Sequence, residues 1–166
     1  MRRLLPFAVL LATACGSGSN PSAPSVLPAP AAPAAVSAPL PATLVGRWAI
    51  TITAAEQASA EAALGRSLAG NAGLWQLGFA ADGSYSLNQF EEGFLESGIA
   101  SVSGDVLSLR VTDFRAGSTC HGNFPVGSTQ SYRYAADATT LVLRLVQSGC
   151  PDDVLVLSTR PLQRID

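Results

Sequence analysis

Few side chains in this sequence are equipped for acid–base or covalent chemistry. All ten basic residues are Arg and none is Lys, which excludes Schiff-base chemistry and a phosphate-loop lysine. His121 is the single His, so any His-based mechanism rests on it alone. It follows Cys120 in a loop rich in Gly, Ser and Thr. Neighbours on an extended chain point to opposite sides, so the two do not form a Cys–His nucleophile pair. Cys120, His121, Cys150 and Asp152 could be drawn as a metal site. The chain has neither Cys-x-x-Cys nor His-x-His spacing, and no metal is expected. Glu91, Glu92 and Glu96 cluster where a turn is expected. Paired carboxylates can do acid–base work, yet this trio reads as a solvated loop tip. No glycine run has phosphate-loop spacing. No catalytic residue, no cofactor and no enzymatic activity are expected.

Composition narrows the remaining classes. The chain has 166 residues, of which 48% are hydrophobic and 13% charged. That suits one globular domain with accessory segments rather than a charge-rich disordered chain. A formal net charge of −2 argues against an electrostatic nucleic-acid binder.

The first residues read as an export signal. Arg2 and Arg3 form a positive start, and Leu4 to Ala14 is an apolar stretch too short to span a bilayer as a helix, which needs ~20 residues. Residues 1–14 are therefore expected to be removed. The sequence Leu11-Ala12-Thr13-Ala14-Cys15 resembles the lipobox of bacterial lipoproteins. That resemblance implies cleavage before Cys15 and lipidation of its thiol; plain secretion by cleavage after Ala12-x-Ala14 is the alternative. Gly16, in place of Asp, favours an outer-membrane address facing the periplasm by the same analogy. If Cys15 is lipidated, the other two cysteines, Cys120 and Cys150, can pair as a disulfide in an oxidising compartment. Residues 16–43 hold seven prolines and no charge, so 15–43 reads as a lipidated Cys and an extended Pro/Ala/Ser tether.

The folded part is expected over residues 44–166. Its pattern is mostly period two. Trp48, Ile50 and Ile52 alternate with Arg47, Ala49 and Thr51. A helix is expected over 54–69, capped by Thr53 and ending near Gly70. Trp75, Leu77 and Phe79 alternate again, and Asp82-Gly83 marks a hairpin. Tyr85 and Leu87 follow. A strand over 94–103 turns at Gly104-Asp105 into Leu107, Leu109 and Val111. Tyr132 and Tyr134 share a face, Leu141, Leu143 and Leu145 share another, and 154–158 is expected to be the eighth strand. Eight antiparallel strands joined mostly by short turns predict an all-β, up-and-down barrel with one short helix after the first strand. A two-sheet sandwich is the alternative.

Gly46-Arg47-Trp48 at the start of the first strand resembles the Gly-x-Trp motif of lipocalins. In that family the Trp closes the barrel floor and an Arg near the end of the last strand packs across it; Arg164, or else Arg160, stands at that place here. Cys120, the Tyr132-x-Tyr134 strand, the Leu141-x-Leu143-x-Leu145 strand, Cys150 and a terminal Arg are similar to small bacterial lipocalin-like lipoproteins. The resemblance implies a barrel floor of Gly46, Trp48 and Arg164 and a carrier of a small hydrophobic ligand. Trp75, Phe79, Tyr132 and Tyr134 are the candidate ligand-binding residues, the tyrosines supplying the polar groups that orient a ligand in an apolar pocket. The competing expectation is a protein-interaction module, such as an inhibitor of an envelope hydrolase.

Overall fold

A computed structural model describes residues 39–115, 126–150 and 152–166. Cys15, Cys120 and His121, the expected signal segment and most of the tether lie outside the described residues. Eight strands form a closed, wholly antiparallel barrel in which each is bonded to the next in sequence. They are β1 (Gly46–Ile52), β2 (Gly73–Phe79), β3 (Ser84–Gln89), β4 (Phe94–Ser103), β5 (Val106–Arg115), β6 (Thr129–Ala136), β7 (Thr140–Gln147) and β8 (Leu162–Arg164). β8 pairs with both β7 and β1, which closes the ring and removes the sandwich alternative. Two helices interrupt the meander, α1 (Ala54–Leu64) and α2 (Asp152–Ser158). None of the described helices is long and apolar enough to cross a membrane.

Two elements differ from the sequence reading. Residues 154–158 belong to α2, not to a strand, and the eighth strand comes later, over Leu162–Arg164. A short apolar run does not discriminate helix from strand by periodicity. Here two Asp side chains in the first turn, Asp152 and Asp153, suit a helix N-terminus. α1 stops at Leu64 rather than near Gly70, because Gly65 adopts a left-handed φ of 64° and its N–H reaches the Glu61 carbonyl at 2.9 Å. Its start is a capping box. Thr53 Oγ1 accepts from the Glu56 N–H at 3.2 Å, and the Glu56 carboxylate accepts from the Thr53 N–H at 2.8 Å.

The strands start and stop at two ends of the barrel. Gly46, Phe79 and Ser84 mark one end, and Ile52, Gly73 and Gln89 the other. We call the first the floor; the second carries α1 and the segment after it. Period-two alternation sends Trp48, Ile50, Trp75, Leu77, Phe79, Leu107, Leu109, Val111, Tyr132, Leu141 and Leu143 into buried positions, while Tyr134 and Leu145 are only half-buried.

The floor is built around a stacked cation. Trp48 and Arg164 are directly opposed in the β1–β8 register. The Arg164 guanidinium carbon lies 4.2 Å from the Trp48 ring centroid, a cation–π distance. Arg164 Nη1 donates to the Val45 carbonyl at 2.9 Å and Nη2 to the Thr43 carbonyl at 2.8 Å. Trp48 Nε1 donates to the Leu44 carbonyl at 2.9 Å. The chain before β1 is thus folded under the barrel and fastened by both members of the stack. Gly46 has φ 132°, and a Cβ there would collide with Arg164 Nη1, which explains a glycine two residues before the Trp. Arg160 lies elsewhere, 3.4 Å from a Glu56 carboxylate oxygen.

Trp48 is fully buried. Trp48→Ala is expected to cost about 3–5 kcal/mol as a large core truncation, read as a shift of the urea-unfolding midpoint. A loss below about 1 kcal/mol, the level of a surface change, would show that the floor does not hold the barrel shut.

Candidate functional site

The inward rows are apolar except in one region. Three polar residues face the interior with almost no exposure: Gln89 at 0%, Glu96 at 4% and Gln130 at 1%. Each has its position dictated by strand parity. Glu96 shares a face of β4 with Phe94, Gly98 and Ala100, and Gln130 shares a face of β6 with Tyr132.

Glu96, Gln130 and two tyrosines form one connected group. Glu96 Oε1 accepts from the Tyr85 hydroxyl and from Gln130 Nε2, each at 2.9 Å. Gln130 Oε1 in turn accepts from the Tyr132 hydroxyl at 2.6 Å. The chain of bonds therefore crosses from β3 to β4 to β6. Gly98 makes room for it: a Cβ at that β-bulge position would strike the Tyr85 ring and the Arg110 carbonyl. Asp153, on α2, faces the same group. Its carboxylate accepts from the Ser148 hydroxyl, and its charge acts on Tyr85 and Tyr132.

Burial sets the proton occupancy of these groups. Glu96 is pushed up to about 7 by desolvation, partly offset by the bonds from Tyr85 and Gln130. Asp153 is also pushed up to about 7, by desolvation and then by the charges of Glu96 and Asp152, against the Ser148 bond. Tyr85 and Tyr132 are raised above the ordinary phenol range by burial and the nearby carboxylates, so both remain neutral donors.

A second set of polar side chains closes the barrel end above this group. Asn71 Nδ2 donates to the Leu68 carbonyl and to Asp152 Oδ2, each at 3.0 Å. Arg66 Nη2 lies 3.2 Å from Asp152 Oδ1. Gln57 and Glu61 of α1 accept from the N–H groups of Ala72 and Leu68, at 2.8 and 2.7 Å. α1 buries no side chain of its own, so its work is to hold residues 65–72 across the opening. Beneath them Trp75 Nε1 donates to the Asn71 carbonyl at 2.9 Å, and its ring meets Phe94 at 5.4 Å with a 56° tilt. Gln89 stitches the rim, donating to the Ala72 carbonyl at 3.1 Å and accepting from the Glu92 N–H at 2.7 Å.

The expected ligand residues are scattered in this geometry. Trp75 and Phe79 stand near opposite ends of β2, separated by roughly 13 Å along a strand that rises ~3.3 Å per residue. Tyr132 belongs to the polar group. Tyr134 is half-buried and borders an outer groove of about 150 Å³ with Arg133 and Arg144. Glu96 corrects the sequence reading outright: it is a buried wall residue, not part of a solvated tip, because β4 already begins at Phe94. Glu91 and Glu92 do lie in the exposed turn. Sequence reasoning passed over Tyr85, Gln130 and Asp153 as polar partners. The i, i+2 spacing of Gln130 and Tyr132 was the available signal. Cys150 is buried; Cys120 lies outside the described residues. Among the described residues, no group of three or more His, Cys, Asp or Glu is placed to hold a metal ion.

With this geometry in hand, comparison with known proteins adds nothing: no family model, no curated protein and no solved structure matches the chain. Chemically, the site is a hydrogen-bonding handle inside an apolar barrel. Its two neutral tyrosines spend their hydroxyl protons on Glu96 and Gln130, and its carboxyl changes charge near neutrality.

The two raised carboxyls make stability fall as pH rises. Between about 4 and about 7 the folded state keeps protons that the unfolded chain has released, so unfolding is favoured with each step up in pH. Below that window the unfolded chain takes up a proton that folded Asp137, held low by the Thr139 and Thr140 N–H and hydroxyl bonds, refuses, so stability falls again as pH drops. Stability is therefore expected to peak near pH 4 and to drop by roughly 2 kcal/mol or more by pH 8. Glu96→Gln should flatten the neutral limb in a urea-melt series; an unchanged slope would contradict the burial of this carboxyl.

Proposed function

We propose that the chain is an envelope-anchored lipoprotein whose lipocalin-like barrel binds a small, mostly hydrophobic molecule bearing one polar end. The observation that carries this reading is the connected polar group, Tyr85–Glu96–Gln130–Tyr132, set in a mostly apolar barrel interior. An apolar pocket with a few convergent polar groups is the usual make-up of a small-molecule site. The ligand's apolar body would lie against the inward leucines and Trp75, with its polar end at the Glu96 group. No catalysis is assigned to it.

The address is proposed on the leader alone: a signal peptide over residues 1–14, lipid on Cys15, and the Pro/Ala/Ser tether holding the barrel at the outer membrane, facing the periplasm. A Cys120–Cys150 disulfide belongs to the same reading. Closing a loop of about 30 residues stabilises by roughly 3–4 kcal/mol in the chain-entropy model. Cys15→Ser is expected to release the protein from the membrane fraction into the soluble periplasm. Membrane retention of that variant would overturn the lipid anchor.

A second reading has its own observation. Trp48, Leu77, Leu107, Leu109, Tyr132 and Leu141 are fully buried, and a barrel filled by its own side chains would leave the outer surface to work. Phe90, Val126 and Val146 are exposed large apolar residues, at or beside the strand termini of the α1 end. That arrangement favours an envelope protein partner, such as a hydrolase that the chain inhibits.

Ligand extraction decides between them. Protein purified from its own envelope is expected to carry a small amphipathic molecule in native mass spectrometry, and to bind a fluorescent fatty-acid analogue at micromolar levels. Tyr132→Phe and Glu96→Gln should each weaken that binding by about tenfold, the loss of one buried hydrogen bond. No co-purifying molecule and no probe binding would move the assignment to the interaction module.

A further inference from the structure

The wall between β7 and β1 is not closed by a strand along its whole length. β8 pairs only with Trp48 and Ala49 of β1 and with Thr140 and Leu141 of β7. Beyond those pairs β1 continues to Ile52 and β7 to Gln147. α2 fills the space between them, burying Leu155, Val156 and Leu157. Side chains, not a ladder, serve the strand edges there. Ser158 Oγ accepts from the Leu145 N–H at 3.1 Å, and Arg160 Nη2 donates to the Thr51 carbonyl. β2 to β4 are laddered on both sides, whereas β5 meets β6 only over Val106–Arg110.

Besides Ser158 at its last residue, α2 is fastened through the two acids of its first turn. Asp152 is clamped by Asn71 and Arg66 from the segment ahead of β2. Asp153 takes the Ser148 hydroxyl and faces the barrel interior. The groups around it are Glu96 of β4, Tyr85 of β3, Tyr132 of β6 and its own neighbour Asp152. Among the described residues, no arginine forms an ion pair with Glu96 or Asp153. Glu96 on the barrel wall and Asp153 on α2 are thus two buried acids, neither ion-paired to an arginine among the described residues.

We propose that α2 is a movable section of the barrel wall, latched shut while Glu96 or Asp153 holds a proton and swinging outward when both are charged. Like charges in a low-dielectric interior repel, and each gains by reaching water. Glu96 cannot follow that force, since β4 is held by β3 on one side and β5 on the other. Asp153 can, since its helix leaves the wall without breaking a strand ladder. Burial places both groups so that the change falls near neutral pH. The opening would uncover the Tyr85–Glu96–Gln130–Tyr132 group from the side of the barrel. The device stands whether or not the barrel takes up a small molecule.

Hydrogen–deuterium exchange of the intact chain at about pH 5.5 and about pH 8, corrected for intrinsic rates, tests it. The α2 amides and those of the upper part of β7 are expected to open at least tenfold more at the higher pH, with β2 to β4 unchanged. Glu96→Gln should remove the difference; if that variant fails to fold, Asp153→Asn reads the same charge pair. Asn71→Ala, which cuts the clamp and leaves both acids of the pair in place, should raise α2 exchange at both pH values. Equal protection of α2 at the two pH values in the native chain, or a pH effect that survives Glu96→Gln, overturns the proposal. Unchanged α2 protection in Asn71→Ala overturns the latch assigned to Asp152.

Discussion

A barrel is stable only if its last strand finds its first, and here that contact is short. β8 offers three residues, so hydrogen bonds alone make a weak seam. The stack of Arg164 on Trp48 supplies what the ladder lacks. It joins the two strands through side chains at the register position where they face each other. It also reaches beyond the sheet, since the same guanidinium binds the carbonyls of Thr43 and Val45. A guanidinium suits this place because it stays charged at any accessible pH, is weakly hydrated and presents a flat face to an indole. Lysine would offer a point charge and lose the two-carbonyl fork. The exposed pair of Arg47 with Asp166, 3.0 Å apart, sits on the same seam, but pairs of that kind contribute little.

With the floor fixed by a permanent charge, the other end of the barrel carries charges that are conditional. Glu96 and Asp153 are desolvated without a cationic partner among the described residues, an arrangement that costs stability whenever both ionise. Hydrogen bonds from Tyr85, Gln130 and Ser148 reduce that cost without removing it. An apolar replacement would pack as well and carry no such penalty. Two acids, two tyrosines and a glutamine there give the interior a polar character that packing alone does not require.

Most of the fold was legible because inward and outward residues alternate cleanly on β1, β2, β5 and β7. Trp48-x-Ile50-x-Ile52 and Leu141-x-Leu143 state both the strand and its buried face. β4 obscured its own parity: Leu95 and Ile99 stand opposite the row of Phe94, Glu96 and Gly98, so both faces look apolar and the acid seems to belong to the preceding turn. The run from Val154 to Leu157 misled for a related reason. All four residues are apolar, and period two and period 3.6 are indistinguishable over that length. Only tertiary context decides, because the gap between β1 and β7 accepts a helix once β8 is too short to fill it. Pairings such as Tyr85 with Glu96 were beyond sequence reach, since they depend on the shear of the closed barrel and on the bulge at Gly98.

The substitution of helix for strand is what links the two ends. A full-length eighth strand would have tied β7 to β1 from floor to rim, leaving the polar group sealed behind a continuous ladder. Starting β8 only at Leu162 confines the strand contacts of that seam, among the described residues, to the end that holds the Trp48 stack. The upper part then depends on packing of Leu155, Val156 and Leu157 and on the bonds made by two acids. Packing of three aliphatic side chains contributes on the order of 1.5–3 kcal/mol each, enough to keep α2 in the wall. The first-turn carboxyls act against that sum only when ionised. The barrel is thus rigid where its charge cannot change and yielding where it can, and both properties follow from where the last strand begins.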